Sequence, residues 1–342
     1  MANKKVRVAI NGFGRIGRLF FRQAFDNENL EIVAINDLGD LNNLAYLLKY
    51  DTVYRAFPGG VEVKDGNLLI DGNTVKYLQV KDAAALPWKD LNIDIVVEST
   101  GAFESYEKAK VHLDAGAKRV VITAPAKDAD GAMGQTILNN INEDQFKVCK
   151  ISSNGSCTTN AAAPVIKILE ESIGIEKAIL STTHAYTATQ SIVDSPTKGA
   201  DYRRGRAGAQ NMSPSTTGAA IAVTRAIPSL AGKFDGIAIR VPVVTGSIAD
   251  ITFISKKKTT VEEINMIFKK AAADPKWIGI FTAVEDQVVS SDIIGMPYGA
   301  IVDLNFTKVV DGNLVKVLYW YDNEMGYVQT LVDHVIKASH NL

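Results

Sequence analysis

The chain has 342 residues, 46% of them hydrophobic, with 37 basic and 38 acidic side chains and a formal charge of −1. That length suits two domains of ordinary size with real cores, and the balanced charge lacks the basic surplus that nucleic-acid or membrane partners usually show. No apolar run is long enough to span a bilayer, and two cysteines, Cys149 and Cys157, cannot build a disulfide framework, so a soluble protein of a reducing, cytoplasmic compartment is expected.

The first residues run straight into a strand pattern, Val6 to Ile10, without the apolar stretch of a leader. Asn11-Gly12-Phe13-Gly14-Arg15-Ile16-Gly17 follows at once, and Ile16, Leu19, Phe20 and Ala24 then recur at helical spacing. This G-x-G-x-x-G lies between strand and helix, the context a dinucleotide fingerprint needs. Gly12 permits the tight turn, Gly14 lets a pyrophosphate approach the backbone, and Gly17 lets helix and strand pack closely. A second strand, Glu31 to Ile35, delivers Asp37 twenty residues after Gly17, where an acid can bind the adenosine ribose hydroxyls and repel a 2′-phosphate. NAD is therefore expected rather than NADP.

The alternation continues through a helix with Leu41, Leu44, Leu47 and Leu48 on one face and a hairpin from Asn67 to Val80 turning at Asp71-Gly72-Asn73. A strand from Ile93 to Val97 ends in Glu98-Ser99-Thr100-Gly101. A helix opens at Ser105, and a strand from Arg119 leads to Thr123. Thr100 and Thr123 close parallel strands, where ligands bind, although ordinary strand-end hydroxyls would read the same way. Lys147 to Ile151 alternates like a strand and makes Cys149 a core residue. No cysteine–histidine spacing fits structural zinc, so no metal is expected.

Ser152 to Asn160 places Cys157 where a polar loop meets a helix running from Thr158 to Ser172. Free amides at a helix start bias a thiol toward thiolate; a buried, inert cysteine is the alternative. Beyond it, strands follow one another with fewer helices, an α+β pattern with a largely antiparallel sheet. The strand from Ala178 to Tyr186 carries His184, a residue that could serve a thiol as base or simply be structural. A polar run from Thr187 to Thr217 holds Arg203-Arg204-Gly205-Arg206 and Ser215-Thr216-Thr217-Gly218, a composition suited to phosphate or to a solvated loop. Ile237 to Val244 places Arg240 among apolar neighbours. Thr260-Val261-Glu262-Glu263 resembles a capping box for a helix through Ala273. Strands from Ala300 to Val309 and Val315 to Trp320 precede Tyr321-Asp322-Asn323-Glu324 and a last amphipathic helix.

Together these segments resemble one family, glyceraldehyde-3-phosphate dehydrogenase, over essentially the whole length. The resemblance rests on Asn11 to Gly17, Glu98 to Gly101, Ser156-Cys157-Thr158-Thr159-Asn160, His184 to Gln190, Ser215 to Ala220, Arg240-Val241-Pro242 and Tyr321 to Glu324. It implies an α/β chain with an N-terminal Rossmann dinucleotide-binding domain (1–156), an α+β catalytic domain with a mostly antiparallel sheet (157–321), and a C-terminal helix (322–342) packed back on the first domain. It implies Cys157 as nucleophile and His184 as base. Ser156, Thr158, Thr187, Arg204, Thr217, Gly218 and Arg240 match positions that hold the substrate phosphate and inorganic phosphate. Arg15, Ile16, Asp37, Lys81, Thr123 and Asn323 match cofactor contacts beside Gly12, Gly14, Gly17 and Thr100, with Asn323 on the nicotinamide amide.

The expected reaction is NAD-dependent, phosphorylating oxidation of glyceraldehyde 3-phosphate by a homotetramer. Oxidation of erythrose 4-phosphate, an aspartate-semialdehyde dehydrogenase activity, and a non-enzymatic NAD-binding role are the alternatives; Asp37 argues against the NADP preference of the second. Four features depart from the family pattern: Ala161 where a second cysteine is common, Met325 for a tryptophan, Ile221 for a lysine, and Asn139-Asn140 for an apolar–glycine pair. The length of the 197–201 segment also differs from several relatives.

Overall fold

The computed structural model describes residues 5–197 and 199–342 and divides them into two compact units, one up to Gly155 together with Leu331–Leu342, the other Ser156–Thr330. The second unit thus begins one residue before the boundary expected from the sequence, and the return to the first begins at Leu331 rather than at 322.

The first unit contains β1 (Val6–Asn11), α1 (Arg15–Ala24), β2 (Leu30–Asn36), α2 (Leu41–Lys49), β3 (Val61–Lys64), β4 (Asn67–Ile70), β5 (Asn73–Leu78), β6 (Ile95–Glu98), α3 (Tyr106–Asp114), β7 (Arg119–Ile122), β8 (Gly134–Thr136) and β9 (Ile151–Ser153). Their order in the sheet is β3-β4-β5-β2-β1-β6-β7-β9-β8, parallel throughout except for the β3–β4–β5 meander. Val8, Ala9 and Ile10 of β1 and Ile95 to Val97 of β6 are fully buried, as central parallel strands covered on both faces must be. Strand order reverses at β1, between β2 and β6, and opens a crevice at their carboxyl ends. Gly17 is required there: a Cβ on it would lie 2.1 Å from the Gly12 carbonyl oxygen.

The expected strand over Lys147 to Ile151 does not form. Arg119, buried, donates to the carbonyls of Phe146 (2.7 Å) and Cys149 (2.5 Å), and the backbone turns around its guanidinium instead of extending. Pairing begins only at Ile151. Cys149 is nevertheless buried, and burial pushes its thiol up to about 11, so it is unreactive at neutral pH.

The second unit contains α4 (Cys157–Ser172), β10 (Ile175–Ala185), β11 (Ser213–Thr216), α5 (Ala219–Ala226), β12 (Phe234–Val241), β13 (Ser247–Ser255), α6 (Val261–Ala272), β14 (Phe281–Val284), β15 (Ala300–Val310) and β16 (Leu314–Tyr321), and α7 (Met325–Ser339) begins in it. The sheet order is β11-β12-β10-β13-β16-β15-β14, antiparallel except for β10–β12 and β14–β15. β12 stops at Val241 because Pro242 has no N–H for the ladder. The polar run from Thr187 to Thr217 is not all loop: Tyr202–Gly205 makes a 3₁₀ turn, and β11 pairs with β12. At α6 only half of the capping box forms. Thr260 accepts from the Glu263 amide, while the Glu263 carboxylate turns to the Thr259 hydroxyl (2.8 Å).

The C-terminal turns of α7 are tied into the first unit. His334 Nε2 meets Ser152 Oγ at 2.8 Å, Lys337 pairs with Glu143 at 2.6 Å, and Arg119 donates to the Asn341 carbonyl at 2.8 Å. His334 is fully buried, and burial, helped by the nearby Lys337 and Arg119 cations, lowers it to about 3. An unfolded chain gains a proton there as pH drops below about 6.5, whereas the folded chain does not until near 3, so this stability is complete above 6.5 and lost on acidification. The slope is about 1.4 kcal/mol per pH unit. Urea midpoints from pH 7 to 5 should therefore fall more steeply for the native protein than for His334→Gln. Parallel declines would contradict this.

Candidate active site

At the crevice of the first unit lies a cavity of about 450 Å³ whose lining includes Gly12, Gly14, Asp37, Lys81 and Thr100. Gly12 takes φ +95°, and a Cβ there would lie 2.7 Å from the Thr100 amide nitrogen. At Gly14 nothing stands within 4 Å of a Cβ position, so the backbone is open to an approaching phosphate. α1 starts at Arg15, so the amides of its first turn point toward the crevice end of the helix. Asp37, at the end of β2, is held by the amides of Phe13 (2.6 Å) and Gly39 (2.8 Å). A neighbouring cavity of about 210 Å³ is lined by Thr100 and Thr123. A glycine turn, an unobstructed backbone, a helix N-terminus and a carboxylate at the end of β2 fit an adenine dinucleotide. The Arg15 side chain is engaged elsewhere: its guanidinium pairs with Asp51 and lies over the Tyr54 ring.

In the second unit, Ser156 caps α4 by accepting from the Thr159 amide at 3.1 Å, which makes Cys157 the first helical residue. Cys157 Sγ lies 3.3 Å from His184 Nε2. His184 comes from β10 and Arg240 from β12, and the two are direct partners in the parallel register, with Arg240 Nη1 2.7 Å from His184 Nδ1. Nδ1 is also 2.6 Å from the Ala185 carbonyl. These two contacts select opposite tautomers. With the proton on Nδ1, donated to Ala185, Nε2 can accept from the thiol; with Nδ1 accepting from Arg240, Nε2–H donates to sulfur. Nε2 can thus accept the thiol proton in one tautomer and donate to sulfur in the other.

Burial raises the Cys157 thiol above its ordinary value, offset in part by Arg240 and by the Thr158 hydroxyl and amide. The thiolate bias expected from the helix start is thus outweighed by desolvation. His184 is pushed down to about 3, by burial first and Arg240 second. The pair rests as neutral thiol and neutral imidazole, and charge is created only by transfer between them.

Arg204 and Arg240 line one small cavity with Gln190, Asp201 and Ser215, and Arg204 reaches Thr189 and Ser215 hydroxyls at 3.3 Å. Arg203 lines it as well, and Asp201 pairs with Arg203 and Arg204, so three guanidinium groups face one carboxylate there. Thr158 contacts Sγ at 4.0 Å. Thr187 bonds within its own turn, to Thr189 and Gln190, and Thr217 accepts from the Ala219 amide beside Gly218, the residue before α5; these three are not drawn into direct contact with the cysteine. Asn323 has its Oδ1 filled by Gly246, Ser247 and Thr245, which fixes the amide and leaves Nδ2 without a partner among the described residues.

Tyr321 escaped the sequence reading as a site residue. Its hydroxyl joins Thr158 (3.0 Å) to Thr182 (2.7 Å), and its ring meets His184 edge-on at 5.9 Å. The available signal was an aromatic residue ending a strand immediately before Asp322-Asn323-Glu324.

A dinucleotide cradle in one unit and a cysteine–histidine pair in the other define the class: NAD-dependent oxidoreductases that work through a thiol. Residues 6–106 match the glyceraldehyde 3-phosphate dehydrogenase NAD binding domain, and residues 156–323 match the C-terminal domain of the same family. The chain is 46% identical over 340 residues to the glyceraldehyde-3-phosphate dehydrogenase of Streptomyces coelicolor, covering 98% of this chain and 99% of that one. It is 48% identical over 330 residues to the enzyme of the same name from Clostridium acetobutylicum, covering 95% and 96%. The chain belongs to the glyceraldehyde-3-phosphate dehydrogenase family, and its cofactor is NAD.

The departures noted in the sequence have distinct settings. Asn140 takes φ +59°, a left-handed conformation that accounts for the usual glycine and that asparagine tolerates better than most residues. Ala161 is fully buried in α4, Met325 is partly buried and Ile221 is exposed on α5.

Proposed function

We propose that this protein converts D-glyceraldehyde 3-phosphate, NAD⁺ and inorganic phosphate to 1,3-bisphosphoglycerate and NADH, as a cytoplasmic homotetramer. The observation that carries the chemistry is the 3.3 Å approach of Cys157 Sγ to His184 Nε2, with Arg240 on the other ring nitrogen. Cys157 sulfur adds to the aldehyde carbon, and its proton passes through His184 to the aldehyde oxygen. The hydroxyl of the thiohemiacetal then returns a proton to His184 as the carbon is oxidised to a thioester. NAD⁺, when bound, supplies the hydride acceptor. Inorganic phosphate attacks the thioester carbon, the C–S bond breaks, and the imidazolium returns its proton to sulfur. The Cys157 amide and the imidazolium would stabilise the developing oxyanion. Arg204 and Arg240, with Ser156, Thr158, Thr187, Thr217 and Gly218, would hold the two phosphates. Gly12, Gly14, Arg15, Ile16, Gly17, Asp37, Lys81, Thr100, Thr123 and Asn323 would hold the cofactor.

Assembly is supported by apolar side chains left bare on the segment between β10 and β11: Ile192 is 88% exposed, Tyr202 79% and Met212 76%. Among the described residues no helix is long and apolar enough to cross a membrane. The deciding assay follows NADH at 340 nm with glyceraldehyde 3-phosphate and NAD⁺, with and without phosphate. Turnover that requires phosphate supports the reading. No NADH, or a rate indifferent to phosphate or higher on erythrose 4-phosphate, would refute it.

A further inference from the structure

Beneath the dinucleotide cavity lies a buried polar cluster that the chemistry above does not use. Glu98 ends β6 and is 2% exposed. One of its oxygens accepts from the Thr100 amide (2.8 Å) and from the Thr100 hydroxyl. The other accepts from Asn11 Nδ2 (2.5 Å) and lies 3.0 Å from His112 Nε2. His112 is fully buried on α3, and its Nδ1 accepts from the Trp88 indole N–H at 3.1 Å. That contact settles the tautomer: Nδ1 is the acceptor, so Nε2 carries the proton and donates to Glu98. The carboxylate therefore meets four donors and no acceptor.

Two of the partners, Asn11 and Thr100, lead to the cavity wall. Asn11 precedes Gly12 and passes the chain of bonds to Asn36, whose Nδ2 donates to Asn11 Oδ1 at 2.8 Å and whose Oδ1 accepts from the Val80 amide at 2.9 Å. Asn36 precedes Asp37, and Val80 precedes Lys81. The Thr100 hydroxyl, while donating to Glu98, accepts from the Ala102 amide at 3.0 Å and fixes the turn after β6. Asn11, Asn36, Val80, Thr100 and Ala102 all line the 450 Å³ cavity, and Glu98 and Thr100 line the adjoining one. One carboxylate thus ties together the carboxyl ends of β1, β2 and β6 at the point where strand order reverses.

We propose that Glu98 is a positioning residue for the cofactor: it sets NAD affinity by holding the ends of three strands in the binding arrangement, and the Trp88–His112 pair holds Glu98 in place by fixing the imidazole tautomer. This rests on the cavity being the dinucleotide site. A carboxamide at position 98 is not a mild change: its NH₂ must face either the Thr100 amide or the pair Asn11 Nδ2 and His112 Nε2–H, donor against donor in both settings. Removing the indole N–H frees His112 to move its proton to Nδ1 and accept from that NH₂. The defect of Glu98→Gln should then be partly cured by Trp88→Phe, a second core lesion that would worsen a defect of stability alone.

The test is NAD⁺ binding by calorimetry to E98Q, W88F, W88F/E98Q and D37A, with kcat at saturating NAD⁺. E98Q should raise Kd about tenfold or more while kcat stays within about threefold, and the double variant should bind about threefold or more tighter than E98Q although it melts lower. E98Q binding within about twofold of the native protein, or a double variant binding no tighter than E98Q, overturns the proposal. Should E98Q not fold, E98D, with a carboxylate one methylene short of its partners, must show the same rise in Kd with kcat kept; an unchanged Kd overturns the proposal. D37A separates the premises. If D37A binds NAD⁺ as the native protein does, the cavity reading has failed; if D37A weakens binding and E98Q does not, only the role of Glu98 has.

Discussion

Cys157→Ser should lower phosphorylating dehydrogenase turnover about 10⁴-fold or more, a barrier increase of roughly 5 kcal/mol. The variant keeps the shape of the residue and its place at the head of α4, so the loss would be chemical. A serine hydroxyl surrenders its proton far less readily than a thiol. The imidazole at that position, pushed down to about 3 by burial and by Arg240, is too weak a base to take it when no departing hydride acidifies the hydroxyl, as it does in the thiohemiacetal. NAD⁺ affinity should be unchanged if Gly12, Gly14 and Asp37 hold the cofactor as proposed. The check is paired: turnover followed by NADH formation, and NAD⁺ binding by calorimetry. Near-native turnover in the serine variant would end the thioester mechanism.

Replacing His184 by Asn should slow turnover by roughly 10²–10⁴-fold, the usual range for loss of a general base. The thiol rests protonated with or without His184, because burial raises it, and the variant lacks the group at 3.3 Å that takes its proton during attack. The same variant should react more slowly with iodoacetamide at pH 7, because no imidazole takes the thiol proton as sulfur attacks. If His184 merely supported the fold, alkylation would instead be unchanged or faster as the site loosened. Rapid-mixing measurements of the first turnover would show whether oxidation, rather than phosphate attack, carries the loss.

The glycine turn and Asp37 were legible because both are local: the spacing from Gly12 to Gly17 and the strand ahead of it lie within one contiguous stretch. Cys157 at the head of α4 was legible for the same reason. Its ionisation was not. Sequence exposes the helix start, which favours thiolate, but not the packing of β10, β12 and Tyr321 around the sulfur, which costs a buried charge more than the helix returns. The expected strand through Cys149 failed likewise, because Arg119, nearly thirty positions earlier, draws the backbone carbonyls round itself. β13 was passed over although every second residue of Ser247–Ser255 is buried; its small and hydroxyl side chains mute an alternation that bulkier residues would have announced. The His184–Arg240 contact could not be foreseen, since it depends on two strands becoming neighbours across the whole intervening segment.

That pairing has a consequence for how such an enzyme can change. The distance between imidazole and guanidinium is fixed by the ladder of main-chain bonds joining β10 and β12 over eight consecutive residue pairs. Neither group hangs from a loop. Insertions or deletions between Thr187 and Ser213 would leave the imidazole–guanidinium contact in place, whereas a slip of one step along either strand would turn it inside out. Selection is then free to tinker with that segment while the contact is inherited intact.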